Sequence, residues 1–113
     1  MRRKLEPPLE KHEEALCIEA YQLAGCIVVS FAQPRATMQS AGIPDLLIFD
    51  PRTQTSWWHE VKRKQGPGWK RVNSKQSEGQ KEFQRYVEEC RGEYILGPLD
   101  AALAKLRALG RVA

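Results

Sequence analysis

Residues 45–62 read DLLIFDPRTQTSWWHEVK, and this stretch decides the fold. Asp45 to Asp50 is short and apolar, and Ser56 to Lys62 is rich in the aromatic and β-branched residues that strands favour. Between them, Asp50 to Thr55 carries the Pro, Asp and Thr residues that are typical of turns. The stretch therefore predicts two neighbouring strands that run antiparallel as a hairpin.

Segments on both sides of the hairpin alternate between helical and strand patterns. Apolar residues spaced three or four apart indicate helices, and short β-branched runs indicate strands. The order is α-β-β-β-α-β-α, so we expect an α/β (α+β) fold whose mixed four-stranded sheet is flanked by helices on both faces. Outside the hairpin, the predicted elements are a helix from Glu10 to Ala24, a strand from Cys26 to Phe31, a loop over 32–43, a basic loop over 63–75, a helix from Ser77 to Gly92, a strand from Glu93 to Leu96 and a helix from Asp100 to Leu109.

The sequence also predicts the ends of the second helix and the apolar faces of the first and second helices. The second helix begins with Ser77-Glu-Gly-Gln80, a capping-box pattern in which the Ser and Gln side chains each satisfy one backbone N–H. We expect Gly92 to end it. The first helix has two adjacent apolar rows, Leu16, Ala20 and Leu23 beside Cys17, Tyr21 and Ala24, and the predicted buried face of the second helix is Phe83, Tyr86, Val87 and Cys90.

Length and composition favour one small globular domain. The chain has 113 residues, of which 42% are apolar, with 18 Lys and Arg against 14 Asp and Glu. This suits a single domain over residues 1–113 with a core over about 10–109. The N-terminus lacks the apolar core of a signal peptide, and no uncharged stretch is long enough for a membrane helix. Three cysteines without a Cys-x-x-Cys spacing are expected to be buried thiols in a reducing compartment, which favours a cytoplasmic protein.

Positive charge is concentrated in the second half of the chain. Residues 61–91 contain nine basic and four acidic residues, whereas residues 1–50 contain five basic and seven acidic residues. A basic block of this kind is either a phosphate-facing surface or a solvated loop and helix face. Trp69 lies inside the block, where it either stacks on a base or belongs to the core. Charge alone does not decide between these interpretations.

Asp45, Glu60 and Lys62 fall where a metal site would need them. Asp45 opens the second strand after a Gly-Ile-Pro turn, and Glu60 and Lys62, two positions apart on the third strand, point to the same face. If the hairpin pairs as predicted, the two carboxylates meet at one end of the sheet. Convergent carboxylates hold Mg²⁺, and a lysine beside them can orient an attacking water or neutralise charge on a phosphoryl group. Each motif alone is common on protein surfaces, so the prediction depends on their conjunction.

Other chemistry-bearing residues are interpreted as structural. His12 and His59 have no Cys or His partners at zinc-site spacing, so we expect structural or surface roles for both. Trp57 and Trp58 are expected to pack in the sheet rather than to stack on bases.

Four motifs taken in order resemble a known family. Gly42-Ile-Pro-Asp45, Glu60-Val-Lys62 and Ser77-Glu-Gly-Gln80, preceded by an acidic helix that runs into Gly25, are similar to the VRR-NUC domain (virus-type replication-repair nuclease) family of the PD-(D/E)xK nuclease superfamily. The resemblance spans roughly Glu10 to Leu96. It implies a restriction-endonuclease-like core and Mg²⁺-dependent hydrolysis of DNA phosphodiester bonds, with Mn²⁺ expected to substitute.

The resemblance also implies roles for individual residues. Asp45 and Glu60 would be Mg²⁺ ligands, helped by the backbone carbonyl of Val61, and Lys62 would position or activate the water. One glutamate of the first helix would complete the site; we favour Glu14, with Glu13 and Glu10 as rivals. Gln80 would lie near the site at a helix N-terminus, where N–H groups favour a phosphate, in addition to its role as a cap.

The same resemblance suggests the substrate and assembly. Minimal single-domain members are associated with phages and with structure-specific cleavage, so we expect branched DNA such as Holliday junctions, in a bacterial or phage-infected cell, and a homodimer that supplies two active sites. The alternatives are a general or sequence-specific DNA nuclease, or a non-catalytic nucleic-acid-binding protein on the same fold. The basic loop and the neighbouring helix would bind DNA, through Arg63, Lys64, Lys70, Arg71 and Lys75, together with Arg35 in the earlier loop.

Overall fold

Three helices and four strands form the part of the chain that is described, residues 10–31, 42–63 and 76–111 of a computed structural model. Their order is the predicted one. Most of the predicted loops at 32–43 and 63–75 lies outside the described residues. The elements are α1 (Glu10–Leu23), β1 (Ile27–Ser30), β2 (Leu46–Asp50), β3 (Thr55–Val61), α2 (Glu78–Glu89), β4 (Tyr94–Gly97) and α3 (Leu99–Ala108).

The strands form one mixed sheet in the order β1-β2-β3-β4. β2 is antiparallel to both β1 and β3, so the predicted hairpin is confirmed, and β4 runs parallel to β3 after the α2 crossover. In β2 and β3 one face carries the buried side chains of Leu46, Ile48, Trp57 and Val61. Phe83 of α2 instead meets Trp58 on the opposite face, with ring centroids 5.0 Å apart. Helices therefore lie on both faces of the sheet, as expected.

The core lies between the sheet and the helices α1 and α3. α1 contributes Cys17 and Tyr21, which are fully buried, whereas Leu23 is 81% exposed and Leu16 is also exposed. Of the two adjacent rows, the one containing Cys17 and Tyr21 therefore faces the sheet. The sheet and α3 complete this core with Leu46, Ile48, Trp57, Val61, Ala102 and Leu106.

α2 is the most exposed helix, and the prediction for its buried face is partly wrong. Phe83 and Val87 are half-buried, but Tyr86 is 50% exposed and Cys90 is exposed, and α2 has no fully buried residue. The predicted burial of all three cysteines is therefore wrong for Cys90. The half-buried side of the helix consists of Gly79, Gln80, Phe83, Gln84 and Val87, and its other positions lie in solvent.

The ends of α2 follow from local chemistry. The predicted capping box is present: Gln80 N–H donates to Ser77 Oγ (3.2 Å), and Ser77 N–H donates to Gln80 Oε1 (2.8 Å). At the other end Arg91, with φ of 59°, takes the left-handed conformation, whereas the sequence predicts that the helix ends at Gly92. The helix ends at Glu89, three residues before this glycine.

A buried ion pair fastens the edge of the sheet where the β2–β3 turn lies. Arg111, after α3, pairs with Asp50 and donates to the carbonyl of Ala24 at the end of α1 (2.9 Å). Asp50 also accepts from Thr53 Oγ1 and Arg52 N–H. Burial alone would raise the pKa of Asp50, but these hydrogen bonds and the Arg111 charge together hold it below its ordinary value.

Within the described ranges, no helix has both the length and the apolar character needed to cross a membrane.

Candidate active site

One edge of the sheet gathers the residues that the sequence singled out. β1 and β3 end there, and β2 begins there: Phe31 N–H donates to the Asp45 carbonyl (2.8 Å), and Lys62 N–H donates to the Gly97 carbonyl at the end of β4 (3.2 Å). In the β2–β3 ladder Leu46 pairs with His59. Extending this register by one residue places Asp45 opposite Glu60, and residues opposite each other in an antiparallel pair share a face.

Asp45 is held at this edge by the neighbouring strand. Its Oδ2 accepts the backbone N–H of Val61 (2.8 Å), and the side chain is half-buried. Pro44 before it is fully buried, which fixes the direction from which the chain enters β2. Val61 therefore contacts Asp45 through its N–H, and metal ligation by its carbonyl stays a prediction.

Glu60, Lys62 and Gln80 form a closed polar triangle. Gln80 Nε2 donates to Glu60 Oε2 (3.0 Å), Lys62 Nζ donates to Gln80 Oε1 (3.5 Å), and Lys62 Nζ lies 3.9 Å from the same Glu60 oxygen. Glu60 is only 2% exposed. A buried carboxylate is costly unless charged and hydrogen-bonding groups surround it. Here α2 supplies the amide and β3 supplies the ammonium.

Gln80 therefore has two roles at once. Its Oε1 accepts the N–H of Ser77 as part of the helix cap, while its Nε2 contacts Glu60. The cap fixes the first turn of α2, and that turn carries the amide to the carboxylate. The structure thus confirms the cap and shows that the Gln80 amide contacts Glu60, and a catalytic role for Gln80 stays a prediction.

The acidic residues of α1 reach the same edge but differ in their contacts. Glu13 is 3% exposed, and its Oε1 accepts the N–H of Leu99 (3.1 Å), the first residue of α3. Since the N-cap residue of α3, Pro98, provides no side-chain hydrogen bond, Glu13 caps this helix from a distance. Glu14 is half-buried and accepts from Ser30 Oγ (3.2 Å). The side chain of the third rival, Glu10, lies outside the described part.

The negative charges of these acids affect the pKa of the buried Cys17 thiol. Burial, followed by the negative charges of Glu13, Glu14 and Asp45, raises the pKa of Cys17 to about 12. Coulombic influence falls with distance, so acids from α1 and from β2 must lie near the same part of the core. The thiol therefore stays protonated and is not a nucleophile at neutral pH.

The donors at this edge suit a hard cation. Asp45 and Glu60 offer carboxylate oxygens, the thiol of Cys17 is protonated, and both ring nitrogens of His59 are engaged by Tyr21 and Gly97. No three His, Cys, Asp or Glu side chains among the described residues come together as a metal cluster. Mg²⁺ is commonly bound through one or two carboxylates and keeps several waters. The residues present fit Mg²⁺ held by two carboxylates, and ligation by Glu14 stays a prediction.

One neighbour of the site, Tyr94, was not found from the sequence. Tyr94 of β4 is the cross-strand partner of Trp58 of β3. Burial, together with the negative charges of Glu60, Asp45 and Glu88, raises the pKa of Tyr94 to about 12, and a hydrogen bond from Gln76 Nε2 opposes this shift. His59 was expected to be structural, and it is fully buried. Only the parallel register of β4, which no local pattern encodes, brings Tyr94 to the site.

The predicted DNA-binding residues are largely beyond the described ranges. Arg63 is half-buried at the end of β3, while Arg35, Lys64, Lys70, Arg71 and Lys75 lie outside the described residues. α2 itself carries four acidic and two basic side chains, and Lys81 and Arg85 pair with acids of the same helix. The exposed face of α2 is therefore a poor phosphate-binding surface, contrary to the expectation for this helix.

The fold can be compared with solved structures. One, described as a VRR_NUC domain, matches with a TM-score of 0.61 and covers 88% of this chain and 94% of its own, at 22% sequence identity. The chain has the fold of a VRR-NUC domain. No family model matches the sequence, and no curated protein matches it. The predicted VRR-NUC fold, with its mixed sheet and three helices, is thus confirmed.

Proposed function

We propose that this protein is a Mg²⁺-dependent endodeoxyribonuclease that hydrolyses DNA phosphodiester bonds at the Asp45, Glu60 and Lys62 edge of the sheet. The observation that carries the proposal is the Glu60–Lys62–Gln80 triangle with Asp45 opposite Glu60. A buried carboxylate with a lysine beside it costs stability, so its presence at the open edge of a VRR-NUC fold favours a chemical role.

The chain's own residues have distinct tasks in this proposal. Asp45 and Glu60 would hold the cation, and Val61 N–H keeps the Asp45 carboxylate in place. Gln80 orients Glu60 and holds the ammonium group of Lys62 at the site. Lys62 then orients the attacking water and offsets negative charge that develops on the phosphoryl oxygens. When bound, Mg²⁺, or Mn²⁺ in its place, supplies Lewis-acid stabilisation and lowers the pKa of water.

A plasmid-nicking assay tests the proposal. Supercoiled DNA should be nicked with Mg²⁺ and left intact with EDTA. Asp45→Asn, Glu60→Gln and Lys62→Ala should each abolish nicking while circular dichroism stays unchanged. Glu89→Gln and Lys81→Ala make the same chemical changes on the exposed side of α2 and should retain full activity. Wild-type protein that binds DNA without cutting it would favour the non-catalytic alternative, and nicking by the Asp45 and Glu60 variants would remove the assignment.

We propose branched DNA as the substrate, because the minimal single-domain VRR-NUC members that the sequence resembles are associated with structure-specific cleavage. The test is cleavage of four-way junctions, flaps, splayed arms and linear duplex at equal concentration, with Mg²⁺ and with Mn²⁺. Paired symmetric cuts in the four-way junction would support a resolvase. Equal rates on all substrates would indicate a general nuclease, and cutting at one duplex sequence would indicate a sequence-specific enzyme.

We further propose a symmetric homodimer that buries the outer face of β1. Ile27 and Phe49 are cross-strand partners, Val29 follows on the same face, and all three side chains are exposed. β1 is an edge strand without a charged residue, so it lacks the usual protection against pairing with another chain. Sedimentation velocity should give a dimer for the wild type and a monomer for Ile27→Lys. Leu23→Lys, a matched change at an exposed position on α1, should stay dimeric; a monomeric wild type would refute the dimer.

A further inference from the structure

Gly42 lies where the chain enters the site, and its backbone touches the start of α2. A Cβ atom placed on Gly42 would lie 2.3 Å from the carbonyl oxygen of Gly79, 2.4 Å from its carbonyl carbon and 2.9 Å from the backbone nitrogen of Gln80. Real Cβ atoms essentially never approach other atoms so closely. The two backbones therefore meet directly, and only glycine fits on the Gly42 side.

The contact joins the two halves of the candidate site. Three residues after Gly42, Asp45 is bonded to Val61 N–H on β3. On the other side of the contact, Gln80 holds Glu60 and Lys62. A shift of the 42–45 segment against the first turn of α2 would thus move Asp45 relative to Gln80 and its partners.

The first turn of α2 cannot yield easily to relieve a clash. Ser77 Oγ accepts the backbone N–H of Gln80, and Ser77 N–H donates to Gln80 Oε1. Both the backbone and the side chain of Gln80 are therefore hydrogen-bonded to Ser77. On the opposite side Pro44 is fully buried. Relief of a 2.3 Å contact would require a displacement of about 1 Å, and a displacement of that size near reacting groups can cost a factor of about 100 in rate.

We propose that Gly42 is a positioning residue, whose backbone contact with Gly79 sets the placement of Asp45 relative to the Glu60–Lys62–Gln80 triangle. This inference rests on the proposed function for its catalytic consequence, but its structural content is independent of activity. The expected catalytic effect is a fall in kcat, because the displacement moves Asp45 relative to the groups that act in the chemical step.

A φ-matched control separates this role from ordinary backbone strain. Gly42 has φ of +91° and Gly25 has φ of +90°, but a Cβ on Gly25 would meet only Arg111 Nη1 at 3.6 Å, an ordinary contact. Gly25 lies at the end of α1, away from the candidate site. Gly25→Ala and Gly42→Ala therefore share the same conformational penalty, and Gly42→Ala alone adds the clash with α2.

The experiment compares both variants by two-dimensional ¹H–¹⁵N NMR and by nicking kinetics. In Gly42→Ala we expect the side-chain amide signals of Gln80 to shift and kcat to fall about 100-fold. In Gly25→Ala the side-chain amide signals of Gln80 and kcat should both match those of the wild type. If Gly42→Ala leaves the Gln80 signals unchanged, the inference is wrong. If the wild-type protein cuts no DNA, the proposed function fails, and the Gln80 signals still decide whether Gly42 positions this side chain.

A milder variant keeps the inference testable if Gly42→Ala does not fold. Ser77→Ala removes the hydroxyl that fastens the same turn, while Ser56→Ala makes the same change at an exposed position at the other end of β3. Ser77→Ala should move the Gln80 side-chain signals and lower kcat, whereas Ser56→Ala should change neither. Because Ser77→Ala leaves the Gly42–Gly79 contact in place, the wild type must also show a nuclear Overhauser contact between the Gly42 Hα protons and the backbone amide proton of Gln80, and the absence of this contact would overturn the proposal.

Discussion

Removal of one buried hydroxyl, in Tyr21→Phe, should destabilise the protein substantially without creating a large cavity. Tyr21 lies in a buried chain of hydrogen bonds: Trp57 Nε1–H donates to Tyr21 Oη (3.3 Å), and Tyr21 Oη lies 2.8 Å from His59 Nδ1. His59 Nε2 lies 2.9 Å from the Gly97 carbonyl, so this nitrogen carries the proton and Nδ1 accepts from Tyr21. One hydroxyl thus serves both a buried donor and a buried acceptor.

The size of the effect follows from the groups that lose their partner. Trp57 is 1% exposed and His59 is 0% exposed, so water does not readily replace the hydroxyl. A buried polar group left without a hydrogen bond costs about 1–3 kcal/mol, and the 3.3 Å bond from Trp57 is the weaker of the two. We expect a loss of about 3 kcal/mol in the free energy of unfolding, a large part of the 5–15 kcal/mol typical of a domain. This corresponds to a fall in Tm of about 10 °C.

Urea denaturation of Tyr21→Phe and of Tyr86→Phe measures this effect against a matched control. Tyr86 is exposed and its hydroxyl bonds to side chains of its own helix, among them Glu82, so its loss should change stability by less than about 0.5 kcal/mol. A loss below about 1 kcal/mol in Tyr21→Phe, or one equal to that of Tyr86→Phe, would refute the buried hydrogen-bond chain.

Three further predictions concern other parts of the fold. Burial lowers the pKa of His59, and the Gly97 carbonyl and the charge of Asp45 oppose this shift only in part. The unfolded chain therefore binds more protons than the folded chain below about pH 6.5, so the free energy of unfolding should fall as the pH drops through that range. In His59→Gln this fall should be shallower. Asp50→Asn and Arg111→Ala should each cost about 3–5 kcal/mol in urea denaturation, because each strands one member of a buried ion pair; losses below about 1 kcal/mol would contradict the pairing. Glu13→Gln should weaken the hydrogen bond that caps α3 at Leu99, and it should therefore lower Tm while nicking is retained. Loss of nicking at unchanged Tm would indicate instead that Glu13 is the glutamate of α1 that completes the active site.

The sequence predicts the parts of the fold that depend on local patterns. The β2–β3 hairpin follows from two apolar runs around a turn, and the cap of α2 follows from Ser77 and Gln80 at their required spacing. Because strand geometry alternates strictly, the hairpin also places Asp45 opposite Glu60. The elements and the mixed sheet that carry the candidate site were therefore accessible before the structure.

The remaining features depend on contacts between distant parts of the chain. The choice between the two rows of α1 depends on the angle at which the helix meets the sheet, and the hydropathy of Leu16 and Cys17 does not reveal it. The bond from Leu99 N–H to Glu13 joins residues 86 positions apart. Gly42 is readily interpreted as a turn residue, and its contact with Gly79 requires the placement of α2 on the sheet.

Calorimetric titration with Mn²⁺ tests most directly whether Asp45 and Glu60 share a divalent cation. The wild type should bind Mn²⁺, and Asp45→Asn and Glu60→Gln should each lower the affinity roughly tenfold or more. Glu89→Gln, the matched change on the exposed side of α2, should bind like the wild type. Equal Mn²⁺ affinity in all four proteins would contradict a metal centre at this edge of the sheet.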